Sequence, residues 1–295
     1  MKKLMMIINP AAGRGDYRTN LAEALQLLDR GGFRTTLFFT AGRGDATAYA
    51  AEHGEEYDVA VCVGGDGTLS EMMAGLMKLR NPPPVGYIPM GTSNDIATTL
   101  ALPKSDTVGA ARRILEGSEH LFDVGLFGEK EYFAYIAAFG AFTEVSYVTP
   151  QAQKKALGHL AYVLQGMAQL PKIEAFPARV EYDGGVAEGR FLYGSMSNST
   201  SVAGFLRLKE EMVSLGDGHS ELVLVREPST IDGFGAIASA VLSQNYDCED
   251  LQILHTTKAR FIFDRPVPWT RDGEDGGMHR DITLYNCPAA MRLIF

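Results

Sequence analysis

Asp66 lies inside the run Gly64-Gly65-Asp66-Gly67-Thr68, and this stretch carries the clearest chemistry of the sequence. Glycines at a strand-to-helix junction let backbone N–H groups approach an anion, and the start of a helix adds positive potential. A carboxylate in the middle of such a loop repels phosphate unless a cation lies between them. The combination points to a nucleotide polyphosphate accompanied by Mg²⁺. Thr68-Leu69-Ser70-Glu71 also has the spacing of a capping box, which makes Glu71 a helix cap rather than a catalyst.

Two further loops have the same position after a strand. Asn9-Pro10-Ala11-Ala12-Gly13-Arg14-Gly15 turns the chain, opens the backbone and offers the Arg14 guanidinium, a fork suited to phosphate. Gly91-Thr92-Ser93-Asn94-Asp95 offers Thr92 and Asn94 to a sugar or base, and Asp95 as a second carboxylate. Each also reads as an ordinary turn: the first as a strand–helix connection, the second as an Asn-Asp helix cap.

The elements that must position these loops alternate. Strands are expected over 4–8, 33–40, 58–63 and 85–90, with helices over 17–30, 45–55, from 69 onward, and 108–115. This rhythm implies a doubly wound parallel sheet with ligands beyond the carboxyl ends of the strands. Ala12-Gly13-Arg14-Gly15-Asp16 recurs letter for letter as Ala41-Gly42-Arg43-Gly44-Asp45, each copy just after a strand. After Asp123 the pattern changes to short strands over 132–139, 178–182, 191–197, 220–225, 250–254, 259–263 and 281–285. They are separated by Gly, Asp and Pro turns, the pattern of an antiparallel β-sandwich. One helix is expected over 151–170, with Lys154, Lys155 and His159 on one side. The fold class is therefore α/β, with an N-terminal doubly wound domain over 1–124, completed by a return of 289–295, and a C-terminal β-sandwich domain over 125–288. A cleft between two such halves is a favoured place for ligands.

Composition sets the limits. The 295 residues are 46% hydrophobic and 21% charged, with a net charge of −9. That balance argues against nucleic-acid binding. No apolar run reaches the ~18 residues of a membrane span. The start Met1-Lys2-Lys3-Leu4 has the look of a signal peptide, but Asn9-Pro10 interrupts it, and a first strand is expected instead. Cys62, Cys248 and Cys287 are odd in number and lack metal-ligand spacing, which suits a reducing, cytoplasmic setting. Nothing in the sequence specifies an oligomeric state, and a homodimer is kept open.

Asn-Pro-x-x-Gly, Gly-Gly-Asp-Gly-Thr and Gly-Thr-x-Asn-Asp, in this order and spacing, resemble the diacylglycerol kinase catalytic domain, and above all the soluble bacterial lipid kinases. The resemblance continues through Phe122-Asp123-Val124-Gly125, Lys155-Ala156-Leu157-Gly158-His159-Leu160-Ala161-Tyr162 and Asp272-Gly273-Glu274. It implies an ATP site made of Asn9, Pro10, Ala11, Ala12, Gly13, Thr40, Gly64, Gly65, Asp66, Gly67, Thr68, Leu69, Ser70 and Thr92, to which the loop chemistry above adds Arg14 and Asn94. Ser70 stands where the family usually has Asn. The resemblance further implies an acidic network of Asp66, Asp95 and Asp123 reaching the nucleotide's Mg²⁺, with Glu274 as general base. It implies a structural Mg²⁺ held by Ser214, Asp217 and the main chain of His219. There the family's Asp-Asp-Gly begins with Gly216, and water must complete the shell of a hard cation. The acceptor implied is a lipid alcohol met at the membrane surface, diacylglycerol foremost. A kinase of soluble nucleotides that uses the same Gly-Gly-Asp-Gly loop, and a nucleotide-binding regulator without turnover, are the competing readings.

Overall fold

The computed structural model describes residues 1–13, 20–91, 94–104, 106–140, 174–202 and 206–295. These fall into two compact units: Met1–Val124 with Leu215–Asp217 and Pro288–Phe295, and Gly125–Ser214 with Gly218–Cys287. The architecture is mixed α/β.

In the first unit, β1 (Lys2–Ile8), β2 (Phe33–Phe39), β3 (Val59–Gly64) and β4 (Val85–Pro89) form a parallel sheet in the order β2-β1-β3-β4. All six residues of β3 are buried, and its Val-rich run is what a strand covered on both faces requires. Cys62 sits within it as a small buried hydrophobe. Burial, reinforced by the Asp66 and Glu71 carboxylates, pushes its thiol well above the ordinary value.

Helices follow as α1 (Leu21–Arg30), α2 (Asp45–His53), α3 (Asp66–Leu76), α4 (Asp95–Thr99) and α5 (Thr107–Glu116). Leu21, Ala24 and Leu28 of α1 and Ala110, Ala111 and Ile114 of α5 pack against Leu4, Met6, Ile8, Val61 and Ile88. The i, i+3, i+7 spacing puts the α1 residues on one face. Asp106 starts α5 by accepting the Gly109 N–H at 2.8 Å.

One expectation is corrected here. The helix after Gly-Gly-Asp-Gly begins at Asp66, not Leu69, and no side chain caps it. Thr68 and Glu71 therefore do not form a capping box. Thr68 is already inside the helix, and Glu71 reaches outward: its Oε1 accepts the Gly44 N–H at 3.0 Å, while its carbonyl accepts the Thr47 hydroxyl at 2.8 Å. The second Ala-Gly-Arg-Gly-Asp copy is thereby tied to α3.

The second unit contains β5 (Glu119–Phe127) from Gly125 onward, β6 (Glu131–Phe133), β7 (Ile136–Gly140), β8 (Phe176–Tyr182), β9 (Gly185–Ser197), the short pair β10 (Ser201–Val202) and β11 (Leu206–Arg207), β12 (Ser220–Arg226), β13 (Leu251–Thr256), β14 (Lys258–Arg271) and most of β15 (Glu274–Ile294). Its pairings are antiparallel. The long strands β9 and β14 each pair with β8 along one part and with β7 along another, so the pairings close on themselves. An aromatic core of Phe127, Phe133, Phe139, Phe176, Phe191, Phe261, Phe263 and Trp269 fills this unit.

Several strands run longer than their apolar segments: 259–263 grows into fourteen residues and 281–285 into twenty-one. Register shifts inside β14 keep the pairing with β15 going past the polar stretch around Asp264 and Arg265. Helix α6 (Ile231–Ser243) was not expected at all. Gly233 and Gly235 weaken its helical signal. Thr230, whose hydroxyl accepts the Gly233 N–H at 3.2 Å, and the Ile237, Ala240, Val241 spacing are the cues that reveal it. The helix expected over 151–170, with Lys154, Lys155 and His159, lies outside the described residues.

Candidate active site

The loops after β1, β3 and β4 are laced together at the carboxyl ends of the first unit's strands. Ladder bonds continue past the strands: Asn9 N–H to Val63 O at 2.9 Å, Thr40 N–H to Ile8 O at 2.9 Å, and Met90 N–H to Gly64 O at 2.6 Å. Asn9 then reaches across, its Nδ2 donating to Thr68 Oγ1 at 2.9 Å, while its own Oδ1 takes the Ala11 N–H at 2.9 Å. Thr40 is buried at the same rim, with its hydroxyl 3.5 Å from Ile8 O.

The glycines act by what they leave out. A Cβ on Gly91 would lie 2.6 Å from the Gly65 Cα, so these two loops touch backbone to backbone. Gly13 has φ +64°, and a Cβ there would lie 2.3 Å from Met90 O. Gly64 approaches the Thr68 side chain in the same way, at 2.8 Å. The result is a rim whose loops pack against one another through their main chains. Gly67 and Leu69 lie in the first turns of α3, with Leu69 buried and Ser70 half-buried one residue on. Pro10 is half-buried, Ala12 buried and Ala11 exposed. Arg14 and Thr92 lie outside the described residues.

Asp66 is tied to the loop after β4. Its Oδ2 accepts the Asp95 N–H at 2.8 Å and its Oδ1 lies 3.4 Å from the Ile96 N–H. The carboxylate thus caps α4 from outside that helix. Asn94, at the N-cap position with φ +48°, does not cap it; its Nδ2 donates to Gly91 O at 2.8 Å. The Tyr87 hydroxyl lies 3.2 Å from Asn94 Oδ1 and 3.4 Å from Asp66 Oδ1. Tyr87 escaped the sequence reading, although a tyrosine in an otherwise apolar buried strand signals a polar tip that needs a partner.

Asp123 is fully buried. Its Oδ1 accepts the Ala289 N–H at 2.6 Å, and its own N–H donates to Leu215 O at 2.7 Å. Both partners belong to the first unit, so Asp123 fastens two distant stretches of sequence to β5.

Ser214, Asp217 and His219 are exposed on the segment leading into β12. Gly216 departs from the family pattern for a steric reason: a Cβ there would lie 2.5 Å from Leu121 O. Among the described residues no group of three His, Cys, Asp or Glu side chains could hold a metal ion.

Glu274 is exposed and opens β15, opposite Arg271 of β14. Between them Asp272 (φ +49°) and Gly273 (φ +80°) make the turn. The Asp272 carboxylate is buried and accepts three successive amides, from Ala134 at 2.6 Å, Tyr135 at 3.0 Å and Ile136 at 3.1 Å. A separate groove of about 970 Å³ in the second unit is lined by Phe127, Lys130, Tyr182, Lys258, Arg260 and Asp281, among others. Its charged lining does not suit an acyl chain.

A parallel sheet that delivers glycine-rich loops to the carboxyl ends of its strands is the arrangement of an open α/β unit that binds ligands at that rim. The sequence model of the diacylglycerol kinase catalytic domain matches residues 3–127. A diacylglycerol kinase of Bacillus subtilis (strain 168) is 33% identical over 279 residues, 94% of this chain and 91% of its own length. One from Staphylococcus aureus (strain MRSA252) is 36% identical over 94% of this chain and 87% of its own. Crystal structures from Bacillus anthracis str. Sterne, one described as of "a putative diacylglycerol kinase" and one as of a diacylglycerol kinase, match with TM-scores of 0.83 and 0.77. They are 25% and 24% identical, and cover 100% of this chain and 97% of theirs. The chain belongs to the diacylglycerol kinase family, and it is a kinase.

Proposed function

We propose that this kinase transfers the γ-phosphate of ATP, with Mg²⁺, to the hydroxyl of a lipid alcohol, with diacylglycerol giving phosphatidic acid. The observation that carries the reading is the laced rim: Asn9 bonded to Thr68, Gly65 against Gly91, and Asp66 holding the start of α4. Glycine loops packed this closely at the carboxyl ends of parallel strands, beside the start of a helix, suit a polyphosphate. It supports Asn9, Gly13, Thr40, Gly64 and Gly65 as the nucleotide cradle, with Ser70 offering a single hydroxyl where an amide would make two contacts.

A divalent ion bridging the phosphates neutralises charge on the transferring group. Asp66 and Asp95 would hold it, directly or through water. Asp123, being buried and bonded to the Ala289 N–H, would belong to that acidic network as a structural member rather than touch a ligand. Ser214, Asp217 and the His219 main chain would hold a second, structural ion, with water filling its shell.

Glu274 is the base of this reading. A lipid hydroxyl is a poor nucleophile until a carboxylate takes its proton, and the freed oxygen then attacks the γ-phosphorus as the bridging oxygen of ADP leaves. A neutral acceptor needs no strongly basic surface, in keeping with the net charge of −9. No helix of the described residues is long and apolar enough to cross a membrane, and the acceptor would be met by peripheral contact.

The test is phosphoryl transfer from labelled ATP to diacylglycerol in mixed micelles, beside NAD and free sugars in buffer. Transfer to the lipid is expected, and Glu274→Gln should lower turnover by about 10²–10⁴ with ATP affinity kept. Transfer to NAD with none to any lipid would overturn the reading.

A further inference from the structure

We infer that Asp272 is a positioning residue for Glu274, holding the hairpin tip so that the base stands in one place. The inference rests on the reading of Glu274 as the base.

The turn itself does not need this side chain. Two residues with positive φ joining paired strands form a hairpin connection that Asn-Gly or Asp-Gly serves equally well. What no turn type requires is a buried carboxylate aimed across the sheet at another strand. Here Asp272 is 5% exposed, and its two oxygens gather the N–H groups of Ala134, Tyr135 and Ile136. Its own N–H donates to Ile136 O at 2.8 Å. Four bonds thus anchor one turn residue to the start of β7.

The rest of the hairpin end is anchored around it. Trp269, Thr270 and Arg271 pair with Phe139, Ala138 and Ala137 of β7. Arg271 turns away to Glu131, at 3.1 Å, and lies over the Phe127 ring. Hairpin tips are ordinarily among the looser parts of a fold. This one carries an exposed Glu274 two residues beyond a buried anchor, and a base displaced by about 1 Å can lose on the order of 10²-fold in rate.

A carboxylate that merely staples the sheet would make the same bonds, so the test must separate the two roles. Asp272→Asn keeps the size and the turn preference but sets an NH₂ against at least one of the three amide donors. Turnover, KM for ATP and melting temperature are measured in mixed micelles for wild type, Asp272→Asn, Glu274→Gln and the double variant. The expected result is a fall in turnover of roughly 10–10² for Asp272→Asn with KM for ATP held. The double variant should be no slower than Glu274→Gln alone, within about twofold. Losses that multiply in the double variant, or normal turnover in a folded Asp272→Asn, would overturn the inference.

Should Asp272→Asn fail to fold, Gly273→Ala strains the turn by another route, since φ is +80° and the nearest atom to a new Cβ is the Tyr135 hydroxyl at 3.9 Å. Its loss must likewise vanish in the Glu274→Gln background, and a multiplying loss counts against the inference. If Glu274→Gln alone keeps wild-type turnover, the base assignment falls, and the positioning role with it.

Discussion

Asp66 holds Asp95 by its backbone: the Oδ2 of one accepts the N–H of the other at 2.8 Å, across 29 residues of sequence. The carboxylate proposed above to hold a cation is at the same time the cap of the next loop's helix. Asp66→Asn should therefore abolish phosphoryl transfer and also loosen α4, at a cost of about 1 kcal/mol for a lost cap. Activity measured beside a urea melt checks both parts. A folded variant with near-normal transfer would remove Asp66 from the chemistry.

Gly91→Ala tests the backbone contact at the rim. The new Cβ would meet Gly65 Cα and Asn94 Oδ1, both at 2.6 Å, the first main chain and the second the tip of a side chain tied to Gly91 O and the Tyr87 hydroxyl. The expected cost is about 1–3 kcal/mol, typical of overpacking, with weaker ATP binding by calorimetry. Unchanged stability and affinity would mean the two loops can part.

The segment around Asp217 makes a prediction about metal. Chelator should lower the melting temperature of the wild type and leave that of Asp217→Ala unaffected, as the proposed structural ion requires. A wild type indifferent to chelator has no ion there. Gly216→Asp, which restores the family's residue, should destabilise this chain by about 1–3 kcal/mol, since its Cβ would press on Leu121 O.

Acid should weaken the second unit through Asp183. The Thr257 hydroxyl and N–H donate to its Oδ2 at 2.5 and 2.6 Å and hold its carboxyl below the usual aspartate range. A carboxyl whose value is lowered by folding contributes stability above its unfolded value, and that contribution fades as pH falls from about 4 toward the lower folded value. Arg260 holds Asp281 down in the same sense, with bonds of 2.9 and 2.7 Å. The drop in melting temperature between pH 5 and pH 3 should be smaller for Asp183→Asn than for wild type. An equal drop would show that Asp183 titrates normally.

The parallel half was legible because its signals are local. Val59, Val61 and Val63 mark a strand buried on both sides, and Leu21, Ala24 and Leu28 mark a helix face. The three glycine loops could be placed at one rim because each follows a strand of a parallel sheet. The bonds among them could not, because Asn9 to Thr68 and Asp66 to Asp95 cross long stretches of sequence. Helix starts were misjudged for the same reason: Asp66 looks like loop when its helix has no local cap, and Asn94 looks like a cap when a distant carboxylate does the work. In the β-rich half the strands were visible only where apolar residues alternate. Their extensions through Asp264, Arg265, His279 and Arg280 depend on pairing partners that no local pattern names. Asp272 was noticed as part of a motif, but its three amide donors lie some 136 residues away and leave no trace beside it.

Strand β15 has a consequence for how the polypeptide acquires its shape. The first unit takes Pro288–Phe295 as well as Met1–Val124, and Leu293 pairs in parallel with Val85. During synthesis those closing residues emerge only after the whole of 125–287 has been made. A nascent chain that ends at 124 lacks the partner for β4 and leaves an unpaired sheet edge, open to wrong pairing. Sequence-distant contacts of this kind are slow to form. The amino-terminal unit should therefore resist proteolysis only once the last strand is released from the ribosome, and it should mature late although it is made first.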